Sequence, residues 1–204
     1  MSNLTYDDPF NIVIAGVGGQ GNVLSSRLIA DAAKTKGYFV AIGETYGAAQ
    51  RGGSVMSHIR ISKHDVGPLI PKHSTHLLLG FEPIEALRVG SLYMNPESIA
   101  IVNMHPVHPI EVLTGQLEYP PIQDVENRLR SLCSRLFTLD AVNLAQQAGD
   151  PLVMNTVMVG ALAGANLTPV KENMLEKEIS KIRRLKEVNL NAFNLGVEAI
   201  KKNL

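Results

Sequence analysis

The residues best suited to chemistry fall in two short stretches. In Gly16-Val17-Gly18-Gly19-Gln20-Gly21, four glycines fall within six positions. Glycine permits a tight turn and lets a ligand come close to the backbone. A turn of this kind ahead of a helix also presents free N–H groups that attract anions. The second stretch runs from Glu44 to Arg60 and contains Gln50-Arg51-Gly52-Gly53-Ser54. There a guanidinium fork sits on a glycine-rich backbone, and Arg51 is suited to gripping a carboxylate or phosphate. His58 follows on the outgoing segment, as either a proton donor or substrate contact or a buried structural histidine.

Three readings compete for the first stretch. Its Gly-x-Gly-x-x-Gly spacing matches a dinucleotide turn, with Glu44 placed where a ribose-binding acid belongs. A nucleoside-triphosphate loop is excluded, because Asn22 and Val23 stand where Lys and Ser or Thr are required. The third reading is glycines that only let helix and strand pack. It accounts for Gly21 better than for all four.

The surrounding elements must place these stretches together. Asn11 to Ala15 is a short apolar run and predicts a buried strand. Asn22 to Lys36 carries apolar residues at helical spacing and stops at Gly37. Tyr38 to Ile42 predicts a second strand, so the start reads as strand–helix–strand. Glu44 to Gly53 reads as a loop. Ser54 to Ser62 alternates, with Val55, Ser57, Ile59 and Ile61 on one side and Met56, His58 and Arg60 on the other. Strands are also expected at His76–Leu79, Ser98–Val102 and Leu136–Leu139, and helices at Pro83–Val89 and Ile122–Leu132. Another helix begins at Asp140. Asp150-Pro151 predicts a cap and first turn for an apolar helix over Leu152–Asn166. That helix is apolar nearly all round, which implies burial, with a partner chain as one possible cover. A last helix carries Ile182, Leu185, Val188, Ala192, Leu195 and Ala199 as its apolar stripe. The fold class that follows is α/β, a Rossmann-like three-layer sandwich with a mostly parallel sheet and C-terminal helices. Residues 1–204 read as a single domain with its core at about 11–200, and both stretches belong at the C-terminal edge of the sheet.

Composition narrows the function. Nineteen Lys plus Arg balance nineteen Asp plus Glu, which offers no pull toward nucleic acid or an anionic membrane. The apolar run at Leu152–Ala165 is shorter than the roughly 20 residues a bilayer requires, and the polar start does not read as a signal peptide. A cytoplasmic location is the default expectation. Cys133 is the lone cysteine, so neither an internal disulfide nor a cluster held by this chain's own thiolates is expected. His73 and His76, and His105 and His108, are closely spaced but lack accompanying ligands, so no metal site is expected.

Taken together, Gly16–Gly21, Tyr46-Gly-Ala-Ala-Gln-Arg-Gly-Gly-Ser-Val55 and Ser57-His-Ile-Arg60 resemble the gamma-type domain of pyruvate and 2-oxoacid:ferredoxin oxidoreductases. The Gln-Arg-Gly-Gly-Ser-Val-x-Ser-His form is closest to the indolepyruvate branch and its beta subunit. Pro68–Pro71, Leu79–Arg88, Asn103, Asp140-Ala141 and Asn155–Gly160 extend the resemblance across nearly the whole chain.

The resemblance implies a division of labour. A larger partner subunit would hold thiamine diphosphate, Mg2+ and the iron–sulfur clusters, and this chain would hold no cofactor. The complex would decarboxylate a 2-oxoacid oxidatively, pass electrons to ferredoxin and load the acyl group onto coenzyme A. On this reading Gly16, Gly18, Gly19, Gln20, Gly21, Tyr46, Gln50, Arg51, Gly52, Gly53, Ser54 and His58 would contact substrate, coenzyme A or the partner's active site. No residue here would carry the redox chemistry.

Overall fold

A computed structural model describes residues 6–46 and 53–202. β1 (Phe10–Val17) is buried along its whole length and forms the spine of a six-stranded sheet. Alternate side chains of β1 serve opposite layers. Ile12 and Ile14 enter one core, and Val13 and Ala15 enter the other. α1 (Asn22–Lys34) follows, then β2 (Phe39–Tyr46), β3 (Ser54–Ser62), β4 (Leu77–Gly80) and α2 (Pro83–Tyr93). β5 (Ile99–Asn103), the one-turn α3 (Ile110–Leu113), α4 (Ile122–Leu132), β6 (Arg135–Leu139) and α5 (Ala141–Ala148) come next. A 3-10 turn at Pro151–Val153 leads into α6 (Met154–Ala165), and α7 (Glu172–Ile179) and α8 (Lys186–Lys201) finish the chain.

The strand order is β2-β3-β1-β4-β5-β6. β1, β4, β5 and β6 pair in parallel, whereas β3 is antiparallel to both of its neighbours, β1 and β2. Five of the six strands therefore run one way, as the α/β reading requires. The strand–helix–strand unit differs from expectation in two respects: β2 runs on to Tyr46, into the stretch expected to be a loop, and β3 inserts between β1 and β2. It pairs Val17 with Ser54 on one side and Tyr46 with Val55 on the other. This insertion brings the second stretch against the first. α1, α5, α6, α7 and α8 cover one face, and α2 and α4 cover the other.

Three expectations about the C-terminal half need correction. Every residue of α6 is buried, but the cover is the chain's own α8 rather than a partner. The two helices approach backbone to backbone. A Cβ at Gly160 would run into the Phe193 carbonyl, and one at Gly196 into the Val157 carbonyl. Asp150 caps the 3-10 turn, its carboxylate accepting from the Leu152 N–H at 2.8 Å, and does not cap α6 itself. The innermost face of α8 is Asn189, Ala192, Phe193, Gly196, Val197 and Ile200. The predicted stripe through Val188, Leu195 and Ala199 lies at its edge. A buried hydrogen bond from the Thr156 hydroxyl to Asn189 Oδ1, at 2.7 Å, sets that rotation.

Candidate functional site

The turn after β1 is fixed by its own side chains. The Val17 N–H donates to Gln20 Oε1 at 2.7 Å, and Gln20 Nε2 donates to the Phe81 carbonyl at 3.1 Å. Gln20 is thus a brace within the turn, not a donor held out to a ligand. Gly16 has no room for a side chain, since a Cβ would sit 2.7 Å from Gln20 Oε1 and 2.9 Å from Phe81 Cβ. Gly21 is required on two counts. Its φ of 88° is left-handed, and a Cβ would lie 2.8 Å from the side chain of Asn155 on α6. Gly19 is also left-handed, at φ 102°, but faces open space.

The second stretch closes onto this turn. The Gly18 N–H donates to the Gly53 carbonyl at 2.8 Å, and β3 starts immediately afterwards. Ser54 Oγ receives Arg88 Nη2 from α2, and Arg88 is itself held by Glu85 at 2.6 Å. Gln50, Arg51 and Gly52 lie outside the described residues, as does the side chain of Tyr46.

Between the turn, α1 and the start of β3 lies a cleft of about 680 Å³. Gly18, Gly19 and Gly21 form one wall, and Val55 and Met56 form the opposite one. Arg27 and Glu44 stand at its polar side. Glu44 Oε1 accepts a hydrogen bond from Ser26 at 3.2 Å. No side chain caps α1, whose N-terminal position is Gly21. Asn22 lines the cleft and is 4% exposed, yet neither polar atom of its amide has a partner among the described residues. Asn155 Nδ2 and Ser25 Oγ are buried and unpartnered as well. Among the described residues, four such polar atoms cluster around this one helix start.

His58 is placed elsewhere. It is 1% exposed, its Nδ1 accepts from the Ile70 N–H at 3.3 Å, and its ring meets Tyr93 edge-on at 5.0 Å. Burial pushes its pKa down, which favours the neutral ring. His58 is therefore part of the packing behind the sheet rather than of the cleft. The paired histidines are also engaged one by one. His73 Nδ1 lies 3.0 Å from the Met94 carbonyl, and His76 Nδ1 accepts from the Asn11 N–H at 2.9 Å. His105 lies 3.8 Å from Asp140, and the His108 ring meets Tyr119. Among the described residues, no three His, Cys, Asp or Glu side chains gather to hold a metal ion.

Sequence reasoning placed the second strand-to-helix turn but missed what Glu82 holds there. Glu82 follows β4 and caps α2, its Oε2 accepting from the Glu85 N–H at 2.8 Å. Its Oε1 accepts from Tyr119 Oη at 2.5 Å and from the Val107 N–H at 3.5 Å. Glu82 is 2% exposed, and burial, the largest influence, raises its pKa despite these donors. The Tyr119 hydroxyl is pushed up too, by burial first and then by its bond to Glu82. A sequence signal did exist for the cap, an acidic residue just ahead of Pro83. None existed for its distant partner.

Comparison with known proteins decides the family. Residues 11–199 match the family described as pyruvate ferredoxin/flavodoxin oxidoreductase. The chain belongs to this family. Among members of the oxidoreductase family, it is 35% identical to the indolepyruvate oxidoreductase subunit IorB of Thermococcus kodakarensis, over 96% of this chain and 98% of that one. The fold matches a keto/oxoacid ferredoxin oxidoreductase gamma subunit from Geobacter sulfurreducens, with a TM-score of 0.67, 23% identity and coverage of 94% and 98%. It also matches a 2-oxoglutarate:ferredoxin oxidoreductase from Magnetococcus marinus, solved with 2-oxoglutarate, coenzyme A and succinyl-CoA bound. There the TM-score is 0.71 and the identity 22%. The match covers 98% of this chain but only 32% of that one, so the same unit recurs there as part of a longer polypeptide. Among the described residues, no helix is long and apolar enough to cross a membrane.

Proposed function

We propose that this chain is the smaller subunit of a 2-oxoacid:ferredoxin oxidoreductase of the indolepyruvate, aryl-pyruvate type, and that it completes an active site housed mainly in a larger partner. Thiamine diphosphate with Mg2+ and the iron–sulfur clusters belong to that partner and supply the decarboxylation and electron-transfer chemistry. The cleft beside the glycine turn receives the cosubstrate coenzyme A. Its apolar wall of Val55 and Met56 suits the pantetheine arm, and the uncapped start of α1 with Arg27 suits the phosphates. Asn22 pairs with an amide or phosphate oxygen of the ligand. Arg51 and Gln50 add charge and hydrogen bonds from the second stretch. The observation that carries the reading is Asn22, a buried amide with no partner among the described residues, at an uncapped helix start lining a cleft.

Reconstitution tests this. The larger subunit should reduce ferredoxin in the presence of an aryl-pyruvate and coenzyme A at full rate only after this chain is added. Full turnover by the larger subunit alone would overturn the proposal. So would saturable binding of NADH by this chain, because a free-standing dinucleotide module would then explain the glycine turn.

A further inference from the structure

The segment 104–121, between β5 and α4, holds large apolar side chains outward. Val107, Ile110, Leu113 and Leu117 are 37%, 71%, 70% and 62% exposed. A strap that only closed the fold would turn such residues inward.

This strap is pinned, and the pins are polar. The Met104 N–H donates to the Leu139 carbonyl at 2.9 Å, and the His105 N–H donates to Asn103 Oδ1 at 3.3 Å. Buried Glu82 holds it twice, through the Val107 N–H and the Tyr119 hydroxyl. The turn of α3 closes with the Thr114 N–H donating to the Ile110 carbonyl at 2.9 Å. The apolar side chains are thus preorganised on a fixed backbone, which lowers the entropy lost on binding. Between the strap and α2 runs a groove of about 690 Å³ with Ile84 and Val112 inside and Glu85 and Glu118 among its lining residues. Gly53 lines this groove, and Val55 lines the coenzyme cleft, so the two share a dividing wall.

Charge indicates the occupant. From Val89 to Asn127 the sequence has no lysine or arginine, although the whole chain has 19. The strap's own sequence contains Glu111 and Glu118, and Asp124 follows it. Arg88, just before it, is taken by Glu85 and Ser54. A second copy of this chain would set an acidic strap against an acidic strap, which Coulomb repulsion disfavours.

The geometry points to the strap 104–121 as a docking surface for the larger subunit, through a segment that carries large apolar side chains beside a lysine or arginine. This inference rests on the subunit reading above. Its test uses the two-subunit complex. Ile110→Ser, Leu113→Ser and Leu117→Ser combined should weaken association with the larger subunit by about 100-fold, as loss of an apolar interface centre does. The thermal midpoint of the isolated chain should stay unchanged, because these side chains are already in water. Glu118→Lys should weaken association about fivefold and flatten its salt dependence.

Three results overturn the inference in distinguishable ways. Equal affinity of the triple variant and the wild type would remove the surface and leave the subunit reading standing. No association of the wild-type chain with the larger subunit would remove both. A self-dimer of the isolated chain, seen by sedimentation and dispersed by the triple variant, would make a second copy the occupant.

Discussion

Two strand-to-helix turns lie side by side at the C-terminal edge of the sheet, and they leave their helix starts in opposite states. After β4, Glu82 brings its own carboxylate to the first turn of α2 and adds the Tyr119 hydroxyl and the Val107 N–H around it. That helix start is filled from within. After β1, the equivalent place is held by Gly21, which has no side chain to offer, and the neighbouring amide of Asn22 is left without a partner. Both turns present free N–H groups and the positive end of a helix dipole. Where the chain supplies its own anion, the turn becomes an anchor for the strap. Where it withholds one and lines the space with glycine, the turn remains able to take an anion from outside.

The largest effect expected from this contrast is at Gly21. Gly21→Val places a branched side chain in a left-handed conformation and drives it into Asn155. The two penalties together should lower stability by about 3 kcal/mol, read as a fall in denaturant midpoint. Near-wild-type stability would mean that the open turn is not dictated by its backbone.

Next is Glu82→Ala. It strips the α2 cap and removes the carboxylate to which the Tyr119 hydroxyl donates, at a cost of about 2 kcal/mol. Amide exchange at Val107 should accelerate together with that at Glu85, since one carboxylate serves both. Acceleration at Glu85 alone would show that the strap is held by something else.

Asn22→Ala should separate the turns most cleanly. It removes polar atoms that nothing in the described chain satisfies, so the thermal midpoint should move little. The affinity of the assembled complex for coenzyme A, measured by calorimetry, should fall about tenfold, the equivalent of one hydrogen bond to ligand. A large loss of stability with unchanged affinity would reverse the assignment of Asn22.

The smallest effect is on pH. The folded chain raises the pKa of Glu82 above its ordinary 4.5, so it favours the protonated form more than the unfolded chain does. That contribution is complete below pH 4.5 and is lost as pH rises through the higher folded value. Glu82→Gln should therefore flatten the stability curve on the basic side of pH 4.5, while Asn22→Ala leaves its shape alone.

How much of this was legible in the sequence depends on how local each cause is. The glycine turn, the boundaries of β3 and α4, and the Asp140 cap are all set by neighbours within a few positions, and each was found where the residues placed it. The insertion of β3 between β1 and β2 was not legible, because its alternating pattern suits either neighbour and only long-range pairing decides. α7 escaped notice because its buried residues, Met174, Leu175, Glu178 and Ile179, form a narrow and partly charged stripe. Gln20 looked like a ligand donor because its type permits that, and nothing local revealed the Phe81 carbonyl 61 positions away. Glu82 was legible as a helix cap but not as the anchor of a strap 37 residues on. His58 sits on the strand that leaves the second stretch, yet the pleat points it to the far layer.

The backbone-to-backbone seat of α6 on α8 also sets an order of events at the ribosome. α6 is made first, with a surface that is apolar on nearly every side and the side that faces α8 still uncovered. Only when the Phe193 and Gly196 region has been synthesised can the Gly160 face be shielded from water. A nascent chain is thus exposed to aggregation throughout the interval between the two helices, and slowing of translation within that interval should lower soluble yield even though no residue of the finished protein changes.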